Sequence, residues 1–314
     1  MPLIIPAGLP AIEWLEAEGT PVQFAATPAD ASSTERPLRI AILNLMPIKE
    51  TTELDFLRVL NNSPLTLKVE FMKLRSHVSK HTSPEHMERF YRFADEMMLE
   101  QWDGFIITGA PLDFVDYKDV TYWPEITQIF EWAHVHVPST LYVCWAAFAG
   151  MYYYYGVDKS VLPAKMFGVF PHYPSDSSLP IFHGMDDEYL VPHSRHIELR
   201  RDDVIRACES ERGRADGLQL ISESPDSGVH MLMARNGREF FITGHSEYAP
   251  MTLDGEYKRD VAKQLPINVP MHYYRNDDPA QGVLVRWRAN GVLLYTNWLN
   301  HYVAKHQTHP QPLA

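Results

Sequence analysis

Cys144 joins two unlike stretches of chain. Ser139-Thr140-Leu141-Tyr142-Val143 is rich in β-branched and aromatic residues and reads as a short buried strand. Trp145-Ala146-Ala147-Phe148-Ala149-Gly150 is small and apolar, runs into Met151-Tyr152-Tyr153-Tyr154-Tyr155, and reads as a buried helix. A cysteine at such a turn presents its sulfur at the edge of a sheet, beside the positive end of a helix, where the reactive thiolate is favoured. The commonest setting for a cysteine in an apolar run is plain core packing. A second segment shifts the balance: Phe240-Phe241-Ile242-Thr243-Gly244-His245-Ser246-Glu247-Tyr248. A strand there would deliver His245 and Glu247 two positions apart, on one side. Cysteine, histidine and glutamate at strand ends supply a nucleophile, a base and a group that orients the base.

The elements that must position these residues alternate between strand and helix. Pro37 to Pro47 (Pro-Leu-Arg-Ile-Ala-Ile-Leu-Asn-Leu-Met-Pro) reads as a buried strand. Leu54, Phe56, Leu57 and Leu60 have helical spacing behind Thr51 and Thr52 as cap candidates. Leu67 to Leu74 is a further strand, and Ser83-Pro84 opens a helix as cap and first residue. Asp103 to Pro111 is a strand ending in a Gly-Ala-Pro loop, and Trp123 to His134 is helical. His230 to Ile242 reads as a hairpin, with Arg235-Asn236-Gly237-Arg238 between its strands and an Asn-Gly turn. Gly282 to Lys305 is a closing strand or helix. This is the pattern of an α/β fold: a mostly parallel central sheet with helices on both faces, plus a C-terminal hairpin and helix. Ligands of such sheets bind beyond the carboxyl ends of the strands. The expected organisation is an N-terminal arm (1–36) packed on a single domain (37–305), with a short C-terminal tail (306–314).

Composition narrows the functions. The chain has 314 residues, 45% hydrophobic and 22% charged, enough for a large core. Its net charge of −12, with no basic block, argues against nucleic acid as a partner. Two cysteines, Cys144 and Cys208, cannot make a disulfide framework, and a free reactive thiol suits a reducing cytoplasm. Met1-Pro2-Leu3-Ile4-Ile5-Pro6 has no basic n-region, so no signal peptide is expected. Val137 to Val157 carries no charge and is long enough to span a bilayer, but a strand followed by a buried helix accounts for it better.

Competing motifs fail. There is no Gly-x-Gly-x-x-Gly and no phosphate-loop lysine motif. Gly244-His245-Ser246-Glu247-Tyr248 begins like a serine nucleophile elbow but lacks the final glycine. His193 and His196 have a spacing that could suit a metal, but no accompanying motif supports one, and no metal is expected. Alone, Lys165 reads equally as a snorkelling or an anion-holding lysine, Arg259 as part of a solvated helix face, and Ser194 as a turn residue.

Six ordered segments resemble the homoserine O-acyltransferases of methionine biosynthesis, the trans-succinylase/transacetylase family, whose fold is class I glutamine amidotransferase-like (flavodoxin-like). They are Leu38–Pro47, Ile106–Pro111, Val143–Ala147, Lys165–Phe170, Val191–His196 and Gly244–Tyr248, with Asn297-Trp298-Leu299-Asn300 after them. The resemblance implies a ping-pong acyl transfer from acetyl-CoA or succinyl-CoA to homoserine, with no bound cofactor. It makes Cys144 the acyl-accepting nucleophile, His245 the base and Glu247 its partner. It assigns Lys165, Ser194 and Arg259 to substrate binding, Arg259 to the amino-acid carboxylate. Backbone amides at Trp145 and in the Gly109–Leu112 loop, Leu112 being the loop candidate because Pro111 has no N–H, would hold the oxyanion; removing one such donor costs about 3 kcal/mol. The family is typically dimeric, so a homodimer is expected. Phe148 stands where most members of the family have glutamine.

The acyl group turns on Asp113. The matching position carries glutamate in acetyl-specific members of the family and glycine in succinyl-specific ones. Succinyl has a free carboxylate, and a like charge ~4 Å away costs roughly 4 kcal/mol at an effective dielectric near 20. Acetyl meets no such penalty, so acetyl-CoA is the expected donor and succinyl-CoA the alternative. The rival class is a hydrolase on the same fold, a glutamine amidotransferase or cysteine peptidase relative, using the same three residues with water as acceptor. A non-enzymatic binding module is the third reading.

Overall fold

A computed structural model describes residues 3–20, 22–24 and 36–305; the expected C-terminal tail lies outside them. The strands are β1 (Leu3–Ile5), β2 (Val22–Phe24), β3 (Leu38–Leu43), β4 (Leu67–Lys73), β5 (Tyr91–Phe93), β6 (Gly104–Ile107), β7 (Ser139–Val143), β8 (Ser160–Pro174), β9 (Tyr189–Glu198), β10 (Gln219–Ser224), β11 (Gly228–Ala234) and β12 (Glu239–Ile242). The α-helices are α1 (Ala11–Ala17), α2 (Lys49–Leu60), α3 (Pro84–Phe90), α4 (Ala94–Met97), α5 (Trp123–His136), α6 (Trp145–Tyr155), α7 (Arg201–Glu209), α8 (Glu211–Asp216), α9 (Thr252–Ala262) and α10 (Arg288–Trp298).

One sheet runs in the order β2-β1-β4-β3-β6-β7-β12-β11-β10-β8-β9, with β5 beside β4. Every pairing from β2 through to β12 is parallel, and every pairing from β12 on to β9 is antiparallel. The central parallel strands β6, β7 and β12 are buried throughout, as expected where both faces of a sheet are covered. Side chains of the parallel strands alternate between two cores. Ala41, Leu43, Phe105, Ile107, Tyr142 and Phe241 face α5, α6 and α7. Ile40, Ile42, Ile106, Leu141, Val143 and Ile242 face α1, α2 and α10. Fully burying one such side chain contributes about 1.5–3 kcal/mol.

Several local readings change. The strand expected over residues 37–47 ends at Leu43, because the Asn44 side chain accepts the Met46 N–H at 3.1 Å and turns the chain. Helix α2 begins at Lys49 with no side-chain cap, so Thr51 and Thr52 lie inside it. Ser83 caps α3 as expected, accepting from the His86 N–H at 3.1 Å. The β11–β12 hairpin forms as expected, with Arg235–Arg238 connecting its strands, and Arg235, Asn236 and Gly237 all have positive φ. The closing segment is helical: α10 continues into a π-turn at Leu299–Val303. The segment expected as an arm enters the sheet, β1 pairing with β4 and β2. Val137–Val157 resolves into β7 and α6, and no helix among the described residues is long and apolar enough to cross a membrane.

Candidate active site

Between Val143, the end of β7, and Trp145, the start of α6, Cys144 must reverse the chain alone. It does so at φ 51° and ψ −120°, a region strained for any residue but glycine. Its N–H donates to Ile242 O at 2.7 Å and its carbonyl accepts from Ala147 N at 2.8 Å, so both neighbouring elements hold the turn. The side chain lies over the N-terminus of α6, only 8% exposed. Gly109, past the end of β6, makes room for it: a Cβ there would stand 3.1 Å from Cys144 Cβ and 3.4 Å from Sγ.

His245 and Glu247 come from a loop. β12 ends at Ile242, so the expected strand-face arrangement of these two residues does not form. The loop is pinned instead by His245 N–H donating to Pro192 O at 2.9 Å. His245 Nδ1 meets Glu247 Oε1 at 2.6 Å, and Tyr295 OH donates to Glu247 Oε2 at 3.3 Å. The Tyr248 ring stacks on His245 at 4.0 Å. The Cys144 side chain acts on the same ring. With Nδ1 on Glu247, Nε2 is left for the sulfur. Burial alone would push the His245 imidazolium down; the charges of Cys144 and Glu247 outweigh it and hold the ring well above its ordinary range.

The oxyanion side is corrected in one residue. Leu112 N–H, the expected loop donor, is committed to Ala110 O at 2.8 Å. Trp145 is the first residue of α6, where an amide has no intrahelical partner. Among the described residues, the Gly109 and Ala110 amides carry no hydrogen bond, and Gly109 lies beside the sulfur, which leaves these two amides as the loop's candidates in place of Leu112.

The three expected substrate residues gather around two acids on α9. Lys165 Nζ lies 3.1 Å from Glu256 Oε2 and 3.6 Å from Asp260 Oδ2. Ser194 Oγ donates to the same Glu256 oxygen, and Arg259 Nε pairs with Asp260 Oδ1 at 2.7 Å. Arg259 is 52% exposed at its side chain, whereas Lys165 is 13% exposed and lies 4.2 Å over the Phe167 ring. Tyr248, stacked on His245, feels the charges of both Glu256 and Cys144. Burial, then the charge of Glu256, then that of Cys144 push its phenol well above the usual range. Asp113 is not a free surface acid: its Oδ2 accepts the His196 N–H at 2.7 Å. Phe148 is wholly buried on α6, one turn beyond Cys144.

Glu256, Tyr248, Arg195 and Asp55 escaped the sequence reading. Glu256 could have been found from its i, i+4 spacing with Asp260 on one helix face beside Arg259; the other three carry no local signal. His193 and His196 do not converge, because three residues along strand β9 place them on opposite faces. His193 instead meets His172 and His230, all fully buried, in a group whose donor types could hold a metal. Their hydrogen bonds oppose that use. His172 Nδ1–H donates to Phe170 O at 2.9 Å, so its Nε2 is an acceptor. His193 Nε2, 3.1 Å away, therefore carries the proton, while its Nδ1 accepts from Arg195 Nε–H at 3.2 Å. The lone pairs of His172 and His193 are engaged and a guanidinium stands beside them, whereas neither ring nitrogen of His230 has a hydrogen-bond partner among the described residues.

The fold is class I glutamine amidotransferase-like. A chain of Thermoplasma acidophilum superposes with TM-score 0.55 at 12% identity, covering 88% of this chain and 100% of that one. A glutamine amidotransferase from Thermotoga maritima does so with TM-score 0.50 at 11% identity, covering 84% and 98%. Sequence comparison goes further. A family model described as homoserine O-succinyltransferase matches residues 2–309. The homoserine O-acetyltransferase of Phocaeicola vulgatus is 56% identical over 96% of each chain. That of Parabacteroides distasonis is 55% identical over 96% of this chain and 94% of its own. The chain belongs to the homoserine O-succinyltransferase family.

Proposed function

We propose that this protein transfers acetyl from acetyl-CoA to the hydroxyl of homoserine, a step of methionine biosynthesis, through an acyl-enzyme on Cys144. The observation that carries the reading is the meeting of Cys144, His245 and Glu247 at the ends of β7 and β12, together with a Lys165–Ser194–Glu256–Arg259 cluster whose Glu256 acts on Tyr248. In the first half-reaction the thiolate attacks the thioester carbonyl. The oxyanion is held by the Trp145 amide and a Gly109 or Ala110 amide. Coenzyme A leaves as its thiol, taking the proton of the His245 imidazolium. In the second, His245 removes the homoserine hydroxyl proton, the oxygen attacks the acyl-enzyme, and the Cys144 thiolate is released with the ester. Glu247 keeps His245 in the tautomer that this needs.

Homoserine carries one charge of each sign beside its hydroxyl. The Arg259 guanidinium suits its carboxylate, and the Glu256 carboxylate suits its ammonium. Lys165 and Ser194 hold Glu256 in place. Water as acceptor would need none of these four, which favours the transferase over a hydrolase. Asp113 favours acetyl over succinyl by its charge. The cytoplasm, with both thiols free, and a homodimer complete the proposal.

Intact-protein mass spectrometry after exposure to acetyl-CoA or succinyl-CoA tests it. The expected result is an acetyl adduct mapped to Cys144, discharged by homoserine and stable to water over the same interval. A succinyl adduct formed faster reassigns the donor. An adduct discharged equally by water makes the protein a hydrolase, and no adduct at Cys144 removes the nucleophile.

A further inference from the structure

A third hydrophobic cluster, formed by Phe167, Val169, Leu253, Tyr273, Tyr274 and Trp287, lies outside the two cores that flank the sheet and has no part in the functional reading so far. What it holds is the loop of the base. β12 ends at Ile242, so no strand register fixes the residues from His245 to Pro250. Segments far along the chain fix them instead. Trp287 Nε1–H donates to Tyr248 O at 2.9 Å, and Tyr273 OH donates to Pro250 O. The Tyr273 and Trp287 rings themselves stack, 6.0 Å between centroids and 29° between planes. Helix α10 closes on the same loop at Gly291, where a Cβ would collide with the Ser246 carbonyl. Tyr295, one turn further along α10, reaches Glu247.

Tyr248 carries this mounting to the imidazole. Its N–H donates to His245 O at 3.4 Å, closing a turn that folds Tyr248 back over the histidine. The two rings then lie face to face, their centroids 4.0 Å apart and their planes 14° apart. Glu247 holds the imidazole at one atom only, Nδ1 at 2.6 Å. A single hydrogen bond fixes where that atom sits and leaves the ring plane free to turn about it. A flat ring in van der Waals contact with the whole face removes that freedom. Tyr248 cannot follow such a turn, because Trp287 holds its carbonyl and its side chain packs against the third cluster. We propose that Tyr248 is a positioning residue for the base: its ring, mounted on Trp287 and the cluster around it, sets the plane of the His245 imidazole, so that Nε2 is turned toward the Cys144 sulfur. The third cluster is then the mount of the base, and Glu247 and Tyr248 divide the work, one fixing an atom of the ring and the other its plane.

The inference rests on His245 acting as the base, and the test separates the two. Full-length protein is mixed with the faster of acetyl-CoA and succinyl-CoA, and single-turnover acylation of Cys144 is followed by mass spectrometry. No homoserine is present, so contacts with the acceptor do not enter. Tyr248→Leu should acylate about 10- to 100-fold more slowly than wild type, the effect of a misaimed reacting group. Tyr248→Phe, which restores the ring face, should recover the rate to within about threefold of wild type. In a His245→Asn background, Tyr248→Leu should cost less than about twofold more, because no imidazole is left to orient. A folded Tyr248→Leu with the wild-type rate overturns the proposal. So does a Tyr248→Phe as slow as Tyr248→Leu, or an equal loss in both backgrounds, which would make Tyr248 a prop for the loop alone. A His245→Asn protein that acylates at the wild-type rate removes the base, and this proposal with it. Should Tyr248→Leu not fold, Trp287→Phe decides, because it keeps a ring in the cluster and removes the N–H held on Tyr248 O. It should acylate about three- to tenfold more slowly than wild type, and within about twofold of its parent in the His245→Asn background. A wild-type rate in the first case, or an equal loss in the second, overturns the proposal.

Discussion

The two halves of the sheet reach the site by different means. In the parallel half, β6, β7 and β12 end side by side, and chemistry is delivered by the segment just past each strand: the Gly109 loop, the Cys144 turn, the His245 loop. Backbone geometry sets these groups, and neighbouring carbonyls pin them. In the antiparallel half, functional side chains stand on the strands themselves. Ser194 and His196 point to one face of β9, and Arg195 to the other. What each meets depends on the element packed there: α9 with Glu256 and Asp260 over Ser194 and Lys165, the buried His193 beside Arg195. The proposed reacting groups are thus buried, and the proposed recognition groups polar and part-exposed. Damage to the first half should fall on the chemical step, and damage to the second on binding.

The largest effect should come from Cys144→Ser. Turnover should fall by about four orders of magnitude or more while the fold survives, because the change is nearly isosteric and the hydroxyl is far harder to ionise. Near wild-type turnover, read as coenzyme A release, would dissolve the contrast between the halves. His245→Asn should come next, with a roughly 100- to 10,000-fold loss, and Glu247→Gln should lose less, since it acts only through the ring. The ratio of the two variants' acylation rates measures this, and a Glu247→Gln defect larger than that of His245→Asn would contradict it.

Arg259→Ala tests the other half. The homoserine KM should rise by about 10- to 100-fold, corresponding to a lost charged hydrogen bond of ~1.5–3 kcal/mol at a part-exposed site. Single-turnover acylation of Cys144 should stay within a factor of two of wild type, because the acceptor is absent from that step. An equal loss in acylation would mean that Arg259 props up the nucleophile as well. Asp113→Gly should act between the halves, raising the succinyl-to-acetyl ratio of acylation rates by about tenfold or more once the carboxylate is gone. An unchanged ratio places donor selection elsewhere.

The smallest effect concerns stability. Asp55 lies in α2 beside Glu247, and burial together with the Glu247 charge raises its carboxyl to about 7. The folded chain thus keeps a proton that the unfolded chain releases near pH 4. The stability this contributes is complete below about pH 4 and is lost as pH rises through about 7. Asp55→Asn cannot titrate, so its Tm should fall by a few degrees less than that of wild type between about pH 5 and 8. Parallel Tm curves for the two proteins would remove Asp55 as the titrating group.

Local sequence was sufficient wherever one element explained a residue. The apolar runs of β3, β6 and β7 announced a parallel sheet because strands buried on both faces have no polar side to show. Cys144 was legible because an apolar strand and an apolar helix meet there with no spacer, and Ser83-Pro84 because a cap acts within a single turn. The resemblance to the acyltransferase family named further site residues without saying what they touch. Tertiary structure alone decided the rest. It ended β12 before His245, so a loop held by Pro192 aims the base. It engaged Leu112 N–H within its own turn and left the Gly109 and Ala110 amides as the candidates. It brought Glu256 under Lys165 and Ser194, and gathered His172, His193 and His230, of which His193 accepts from Arg195. Each of these is a contact between segments far apart in the chain, apart from the Leu112 turn. Periodicity reports which face of an element is buried, but not which partner the burial will bring.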